Sequence, residues 1–127
     1  MPIQYRIDRA SGIIEETWSG TITIGDLRDF WRGCLADADV LDLRRTVVDL
    51  READIAFTGA ELEALIRTLV IPSLGDRDWR TAIVVGAPVQ FGVGRQYQAF
   101  AERYSKDAIF DHPDKAKAWL SAPPGVY

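Results

Sequence analysis

The chain has 127 residues, of which 47% are hydrophobic, and its 15 Lys and Arg against 19 Asp and Glu give a net charge of −4. This length and composition predict one globular domain over residues 1–127, with a frayed tail at 121–127. The arginines alternate with acidic residues and form no basic stripe, which argues against nucleic-acid binding.

The predicted location follows from the cysteine content and the N-terminus. Cys34 is the only cysteine, so a disulfide within the chain is impossible, as is usual in a reducing compartment. The N-terminal segment MPIQYRIDRA is charged from its start and lacks an apolar signal core. No apolar run approaches the ~20 residues that span a bilayer. We therefore expect a cytoplasmic protein without a membrane span.

The first elements in chain order are two strands and a helix. Ile3, Tyr5 and Ile7 alternate with polar residues, the turn RASG follows, and IIEETW continues as a second strand. The two strands are predicted to form a hairpin. The hydrophobic period then changes to that of a helix, whose apolar face carries Leu27, Phe30, Trp31, Cys34 and Leu35.

Apolar strands and amphipathic helices alternate over the remainder of the chain. Strands are predicted at TVVDL (46–50), TAIVVG (81–86) and AIFD (108–111), with a short charged loop after Asp49. A helix follows each strand; the inner faces carry Leu62, Leu65, Ile66 and Leu69, then Val93, Tyr97, Phe100, Ala101 and Tyr104, then Ala116, Trp119 and Leu120. This order predicts an α/β domain with a mixed, mostly parallel sheet of about five strands, about four helices and an N-terminal β-hairpin.

The sequence resembles the STAS-like, or SpoIIAA-like, family of anti-sigma-factor antagonists over nearly its whole length. The resemblance rests on the opening YRIDRASGIIEETWSG, the segment VVDLREAD, the strand TAIVVG and the terminal AIFDHPDKAKAWL. It implies a SpoIIAA-like fold in a small bacterial protein. It also implies a non-enzymatic regulatory role through protein–protein interaction.

Thr58 has two interpretations. In the family that the chain resembles, a phosphorylatable Ser or Thr opens the helix after the central strand, and Thr58 falls at that position. Phe57 stands where the family has an Asp, and Gly59 follows directly. The spacing of Thr58 and Glu61 is that of a capping box, which predicts a helix cap. A phosphate at a helix N-terminus is electrostatically favourable, so the two roles are compatible.

The carboxyl edge of the predicted sheet is the candidate ligand or partner surface. Parallel sheets bind ligands beyond the carboxyl ends of their strands, and Asp49 and Arg51 lie there. Phe57 and Phe91 each begin a helix at this edge. They are predicted either to line an apolar pocket or partner surface, or to be staples that pack the entry into each helix.

Motifs for catalysis, metals and cofactors are weak or absent from the sequence. His112 is the only histidine, and Cys34 lies on an apolar face, where we expect it to be structural. The run GAPVQFGVGRQ lacks the spacing of a P-loop or dinucleotide fingerprint. We therefore expect no catalytic residue, metal or cofactor.

Three functions follow from the sequence, in order of preference. The first is a regulatory or protein-interaction module that resembles STAS-domain proteins. The second is a protein that binds a small apolar, lipid-like ligand. The third is an enzyme of unknown class. The partner is accordingly a protein or a small apolar ligand, and a homodimer is compatible with the sequence.

Overall fold

The structure, a computed structural model, describes residues 2–75 and 77–122. The described residues form five strands, β1 Ile3–Asp8, β2 Ile13–Thr23, β3 Arg45–Ala56, β4 Trp79–Val84 and β5 Ser105–Phe110. They also form six α-helical segments, α1 Ile24–Cys34, α2 Ala38–Leu43, α3 Gly59–Leu65, α4 Ile71–Leu74, α5 Pro88–Ala101 and α6 Pro113–Ser121. A π-helical turn, Ile66–Val70, joins α3 to α4.

The five strands form one sheet in the order β1-β2-β3-β4-β5. The β1–β2 hairpin is antiparallel, and every other pair is parallel. Spatial order therefore equals chain order, and each crossover connects neighbouring strands. The mixed, mostly parallel α/β sheet with an N-terminal hairpin that the sequence predicts is confirmed.

The central strand is longer than predicted. β3 continues past Asp49 to Ala56 and pairs with the second half of β2, as far as Thr23 opposite Ala56. The prediction of a charged loop after Asp49 is therefore wrong. Ala53 is buried and Ile55 is half-buried, so the strand alternation persists although charged residues occupy the exposed positions.

Two helical predictions also need correction. The short helix α2 was not predicted, because its six residues are too few for a clear periodicity. Tyr104, predicted on the inner face of the third helix, lies beyond the end of α5 and is exposed. Of the predicted tail, Ser121 is the last residue of α6, and residues 123–127 lie outside the described residues.

Helices cover the two faces of the sheet unequally. Helices α1 to α5 pack on one face, which we call the cavity face, over the larger core that includes Ile14, Leu27 and Leu62. On the opposite face, α6 is the helix that covers the sheet in the described part of the chain. We call this the α6 face. Its core is a small cluster of buried residues, Ile13, Val47, Ala82, Val84, Ala116 and Leu120.

None of the helices in the described ranges has both the length and the apolar composition needed to cross a membrane.

Candidate functional site

A cavity of about 70 Å³ lies between the cavity face of the sheet and the helices above it. Strands β2, β3 and β4 form its floor, through Glu16, Trp18, Thr46, Val48, Leu50, Trp79, Thr81 and Ile83. The helical layer and the segments next to it form its roof, through Trp31, Cys34, Leu35, Val40, Leu62, Val70, Leu74, Val93, Gly94 and Tyr97. The floor is built by strand alternation, since residues two apart on one strand face the same side.

The walls of the cavity are mainly apolar. Among the described residues that line it, Leu35 and Tyr97 are partly exposed and the others are buried. Four large aromatic side chains contribute to the walls, those of Trp18, Trp31, Trp79 and Tyr97. The rings of Trp31 and Tyr97 are in contact across the α1–α5 boundary, with centroids 6.2 Å apart. Binding sites for small molecules share this pattern of apolar walls with a few polar groups.

Glu16 is the acidic group of the cavity. Its side chain is buried, and the Trp18 Nε1–H donates to its Oε2 at 2.6 Å. In the described parts of the chain, no second donor and no cation contacts this carboxyl. Burial raises the pKa of Glu16 to about 7, although the hydrogen bond from Trp18 acts in the opposite direction. Glu16 therefore changes charge near neutral pH inside an apolar space.

A row of polar side chains extends across the sheet from the cavity toward β5. Thr46, Thr81 and Asp107 are register partners on three neighbouring strands. The Ser105 hydroxyl donates to Asp107 Oδ1 at 2.6 Å. Burial raises the pKa of Asp107 to about 6, against the hydrogen bonds from Ser105 and Thr81. Burial also raises the pKa of Tyr97, reinforced by the charges of Asp107 and Glu16. These groups form a partly buried polar row within a largely apolar layer.

Cys34 lines the same cavity and is buried. Burial raises the pKa of its thiol, and the negative charges of Glu16 and Asp37 add to the shift. A thiol in such surroundings stays protonated and is a poor nucleophile. The structure thus places Cys34 on an apolar helix face, in the setting that the sequence predicts for a structural cysteine.

The predicted surface residues lie outside this cavity. Arg51 binds Asp49 through two hydrogen bonds, from Nε to Oδ1 at 3.0 Å and from Nη2 to Oδ2 at 2.8 Å. Burial opposes ionisation of Asp49, but the bonds from Arg51 outweigh it and hold the pKa of Asp49 below its usual value. Asp49 borders a groove on the α6 face that also includes Glu15 and Lys117. Asp49 alternates with Val48 and Leu50, which line the cavity, so it faces the other side of the sheet from them.

Phe57 and Phe91 differ in their surroundings. Phe57 is half-buried, and its ring lies edge-on to Trp18 with centroids 6.3 Å apart. Phe91 is 49% exposed, and Val89 beside it is 59% exposed. Phe57 thus packs behind a cavity wall as a staple would, whereas Phe91 and Val89 present apolar area to solvent. A pocket or partner surface shared by the two phenylalanines remains a prediction.

Gln90 is a buried residue of this edge that sequence reasoning missed. Its Nε2 donates to the carbonyls of Arg51 and Ala53, and its Oε1 accepts from the amides of Gly86 and Ala87. These bonds tie the end of β4 and the start of α5 to the extended half of β3. A polar residue at N3 of a helix that otherwise carries apolar inner positions is the one signal in the sequence.

Comparisons with known proteins bear on the fold. No family model and no curated protein matches the sequence. A solved structure does: an uncharacterised protein of the DUF3478 family from Shewanella loihica PV-4, with a SpoIIAA-like fold. The two chains are 17% identical, the match covers 93% of each, and the TM-score is 0.62.

The chain has a SpoIIAA-like fold. The resemblance to the STAS-like family drawn from the sequence is thereby confirmed at the level of architecture. An identity of 17% carries the fold and not the function, because one fold supports many functions. What the protein binds has to be argued from its own residues.

In this SpoIIAA-like fold, Thr58 opens the helix that follows the central strand. Its Oγ1 accepts from the Glu61 amide at 3.1 Å, and its own amide donates to Glu61 Oε1 at 2.9 Å. The capping box is therefore formed. It satisfies two amides that the first turn of α3 would otherwise leave without partners. A phosphoswitch at Thr58 remains a prediction from the family resemblance.

The described residues contain no group of three or more His, Cys, Asp and Glu side chains placed to hold a metal ion. His112 is the N-cap of α6, where its Nδ1 accepts from the Asp114 amide at 3.1 Å. It therefore lies on the α6 face of the SpoIIAA-like sheet, on the other side from Cys34 and Glu16. The structure does not bring the histidine and the thiol together.

Proposed function

We propose that this protein is a non-enzymatic module that binds a small, mainly apolar ligand in the cavity between the sheet and its helices. The apolar cavity, with its mainly buried lining, is the observation that carries the proposal. Its aromatic and aliphatic walls favour apolar matter, and Glu16 and Thr81 provide a few polar contacts. A regulatory role fits this arrangement, because a ligand that fills the cavity contacts floor and roof at once and stabilises their packing.

Binding is favoured over catalysis by the state of the reactive groups. Cys34 has a raised pKa, and His112 lies on the opposite face of the sheet. Nucleophilic catalysis requires a nucleophile and a base within hydrogen-bond reach. The pKa of Glu16, about 7, would suit a general base. Its one hydrogen bond in the described chain, however, comes from the Trp18 indole, which is not a nucleophile.

Xenon tests whether the cavity admits an apolar guest. Xenon enters dry apolar cavities in proteins. Under xenon pressure, methyl NMR signals of Val48, Leu62 and Val93 are expected to shift in a saturable way. Val93→Phe places a ring in the cavity and should abolish the shifts. Val89→Phe, the same change at an exposed position of α5, is the control and should leave them intact. Absence of saturable shifts in the wild-type protein would refute the proposal.

A second candidate function is a protein-interaction module. The exposed side chains of Val89 and Phe91 at the start of α5 favour it, because each presents apolar area to solvent at the edge predicted as a partner surface. Native mass spectrometry of freshly purified protein reports a co-purified small ligand, a protein partner or a homodimer in one measurement. A partner or dimer that is lost in Phe91→Ser, with the cavity unoccupied, would favour this second function.

A further inference from the structure

We propose that the ligand of the cavity is a small organic ammonium ion, bound by the Glu16 carboxylate and surrounded by the indole rings of Trp18, Trp31 and Trp79. This inference rests on the proposed function, since it names the ligand class for that same cavity. Three observations support it: the missing counter-charge of Glu16, the aromatic composition of the walls, and the volume.

The first observation is that the cavity has an acid and no base. Among the described residues that line it there is no Lys, Arg or His. The neighbouring acid on β2, Glu15, is by contrast joined to Arg6 at 2.6 Å and to Lys117 at 2.8 Å. A buried carboxylate without a cation is costly. A cationic ligand supplies the charge that the chain itself does not provide.

The second observation is the aromatic wall. Indole rings attract cations through the negative potential of their faces, and aromatic cages are a recurrent device for binding ammonium groups. Trp18 also donates to one Glu16 oxygen, Oε2, at 2.6 Å. The bond holds the carboxyl beside the Trp18 ring, and no donor to Oε1 is found in the described part of the chain. An ammonium N–H is the kind of donor that Oε1 lacks.

The third observation is size. A cavity of 70 Å³ is about half of the ~150 Å³ engineered cavity that binds benzene. It therefore suits a cation of roughly four heavy atoms, such as isopropylammonium or trimethylammonium, and excludes long-chain lipids in this conformation. Anionic ligands of the same size would be repelled by Glu16.

The charged state of Glu16 links binding to pH. Other titratable groups around it are Cys34 on α1, Tyr97 on α5 and Tyr5, its register partner on β1. All three have raised pKa values and stay neutral near pH 7, while Asp37, which accepts from Tyr5, has a lowered pKa and stays charged. Asp107, further along the polar row toward β5, also has a raised pKa, of about 6. Among the described residues that line the cavity, Glu16 is therefore the group whose charge changes near pH 7. Below pH 7 the Glu16 carboxyl is protonated, and it loses this proton when the cation binds.

Calorimetry with isopropylammonium chloride tests the inference, with 2-propanol as the neutral analogue and isobutyrate as the anionic one. We expect the cation to bind at least tenfold more tightly than the alcohol and isobutyrate not to bind. Its affinity should fall about tenfold per pH unit below pH 7, because protonation competes with the ligand. Heats measured in two buffers of different ionisation enthalpy should show proton release at pH 6.

Glu16→Gln and Glu15→Gln form a matched pair of variants. Gln at 16 keeps an acceptor for Trp18 but has no charge, so cation affinity should drop at least tenfold and lose its pH dependence. Glu15 points to the other face of the sheet, and its variant should bind as the wild type does. Equal cation binding by Glu16→Gln, or equal binding of cation and alcohol by the wild type, would overturn the inference.

The wild-type arms of the experiment are sufficient on their own if Glu16→Gln folds poorly. The outcomes also separate the two proposals. If xenon enters the cavity and the cation does not bind, the ammonium inference fails and the proposed function stands. If neither enters, both fail.

Discussion

The two faces of the sheet give their acidic side chains different partners. Glu15 and Glu16 are adjacent on β2, yet Glu15 lies on the α6 face, where it contacts Arg6 and Lys117, and Glu16 lies in the cavity with one neutral donor. Strand alternation alone produces this difference. The lesson is that identical residues one position apart have different surroundings, because Glu15 is paired with two cations and Glu16 is buried with an indole as its hydrogen-bond donor.

The largest expected effect is the pH dependence of stability due to Glu16. Its pKa is about 7 in the folded state and 4.5 in the unfolded chain. Between these values the unfolded state has lost the proton that the folded state retains, so the free energy of unfolding falls as pH rises. Above pH 7 the accumulated loss is on the order of 3 kcal/mol.

Glu16→Gln should remove this loss, so the variant should exceed the wild type in stability at pH 8 and match it near pH 4.5. Glu15→Gln provides the comparison on the other face and should keep the wild-type slope. Urea unfolding from pH 4.5 to 8.5 measures all three proteins. Parallel curves for the wild type and Glu16→Gln would show that the two faces do not differ in this way.

The next effect concerns the two phenylalanines of the sheet edge. Phe57 packs against Trp18 and the core, so Phe57→Ala should lower the free energy of unfolding by about 2 kcal/mol. Phe91 is exposed, so Phe91→Ala should change the free energy of unfolding by less than about 0.5 kcal/mol. Thermal and urea unfolding distinguish the two variants. A partner-binding defect in Phe91→Ala with unchanged stability would instead favour the interaction surface.

Adjacent valines on β3 test how tightly each face is packed. Val48 lines the cavity and Val47 belongs to the small cluster under α6. An added methyl group has room at Val48, so Val48→Ile should be neutral or slightly stabilising. Val47→Ile overfills a closed cluster and should cost about 1 kcal/mol or more. Equal losses in urea unfolding would indicate that the cavity is too narrow to accept a methyl group.

The smallest effect is at Thr58, at the sheet edge. Thr58→Ala removes the capping oxygen and should cost about 1 kcal/mol, and Ser or Asp should restore most of it. If Thr58 is also a switch, Asp will change partner binding relative to Ser, since the added charge is the signal. Unfolding and binding assays on both variants settle the point. Phosphate on Thr58 in protein from its native host would show that the cap is not its whole role.

Sequence patterns predicted the strands and helices well where one period dominates. Alternation in the opening hairpin and the continuous apolar runs at 46–50 and 81–86 identified the sheet. The second half of β3 was missed because Arg51, Glu52 and Asp54 outweighed the inward-facing Ala53 and Ile55. Charged residues do not by themselves indicate a loop, because they also occupy the exposed positions of a strand.

The cavity could not be predicted from the sequence, because its walls come from several elements whose packing no local pattern specifies. Its acidic residue was within reach. In the predicted strand IIEETW, Ile14, Glu16 and Trp18 share one face, which places a carboxyl among buried apolar residues. A charge at an inward position of a strand is the signal that sequence reasoning passed over.

The unequal covering of the sheet has a consequence for synthesis of the chain on the ribosome. Successive crossovers of one hand between neighbouring strands place their helices on the same face. In the described chain, the other face is covered by α6, which follows all five strands. Until α6 leaves the exit tunnel, Ile13, Val47 and Val84 are exposed on a nascent sheet. A chaperone that binds apolar strands would find its substrate during that interval and lose it once Leu120 docks.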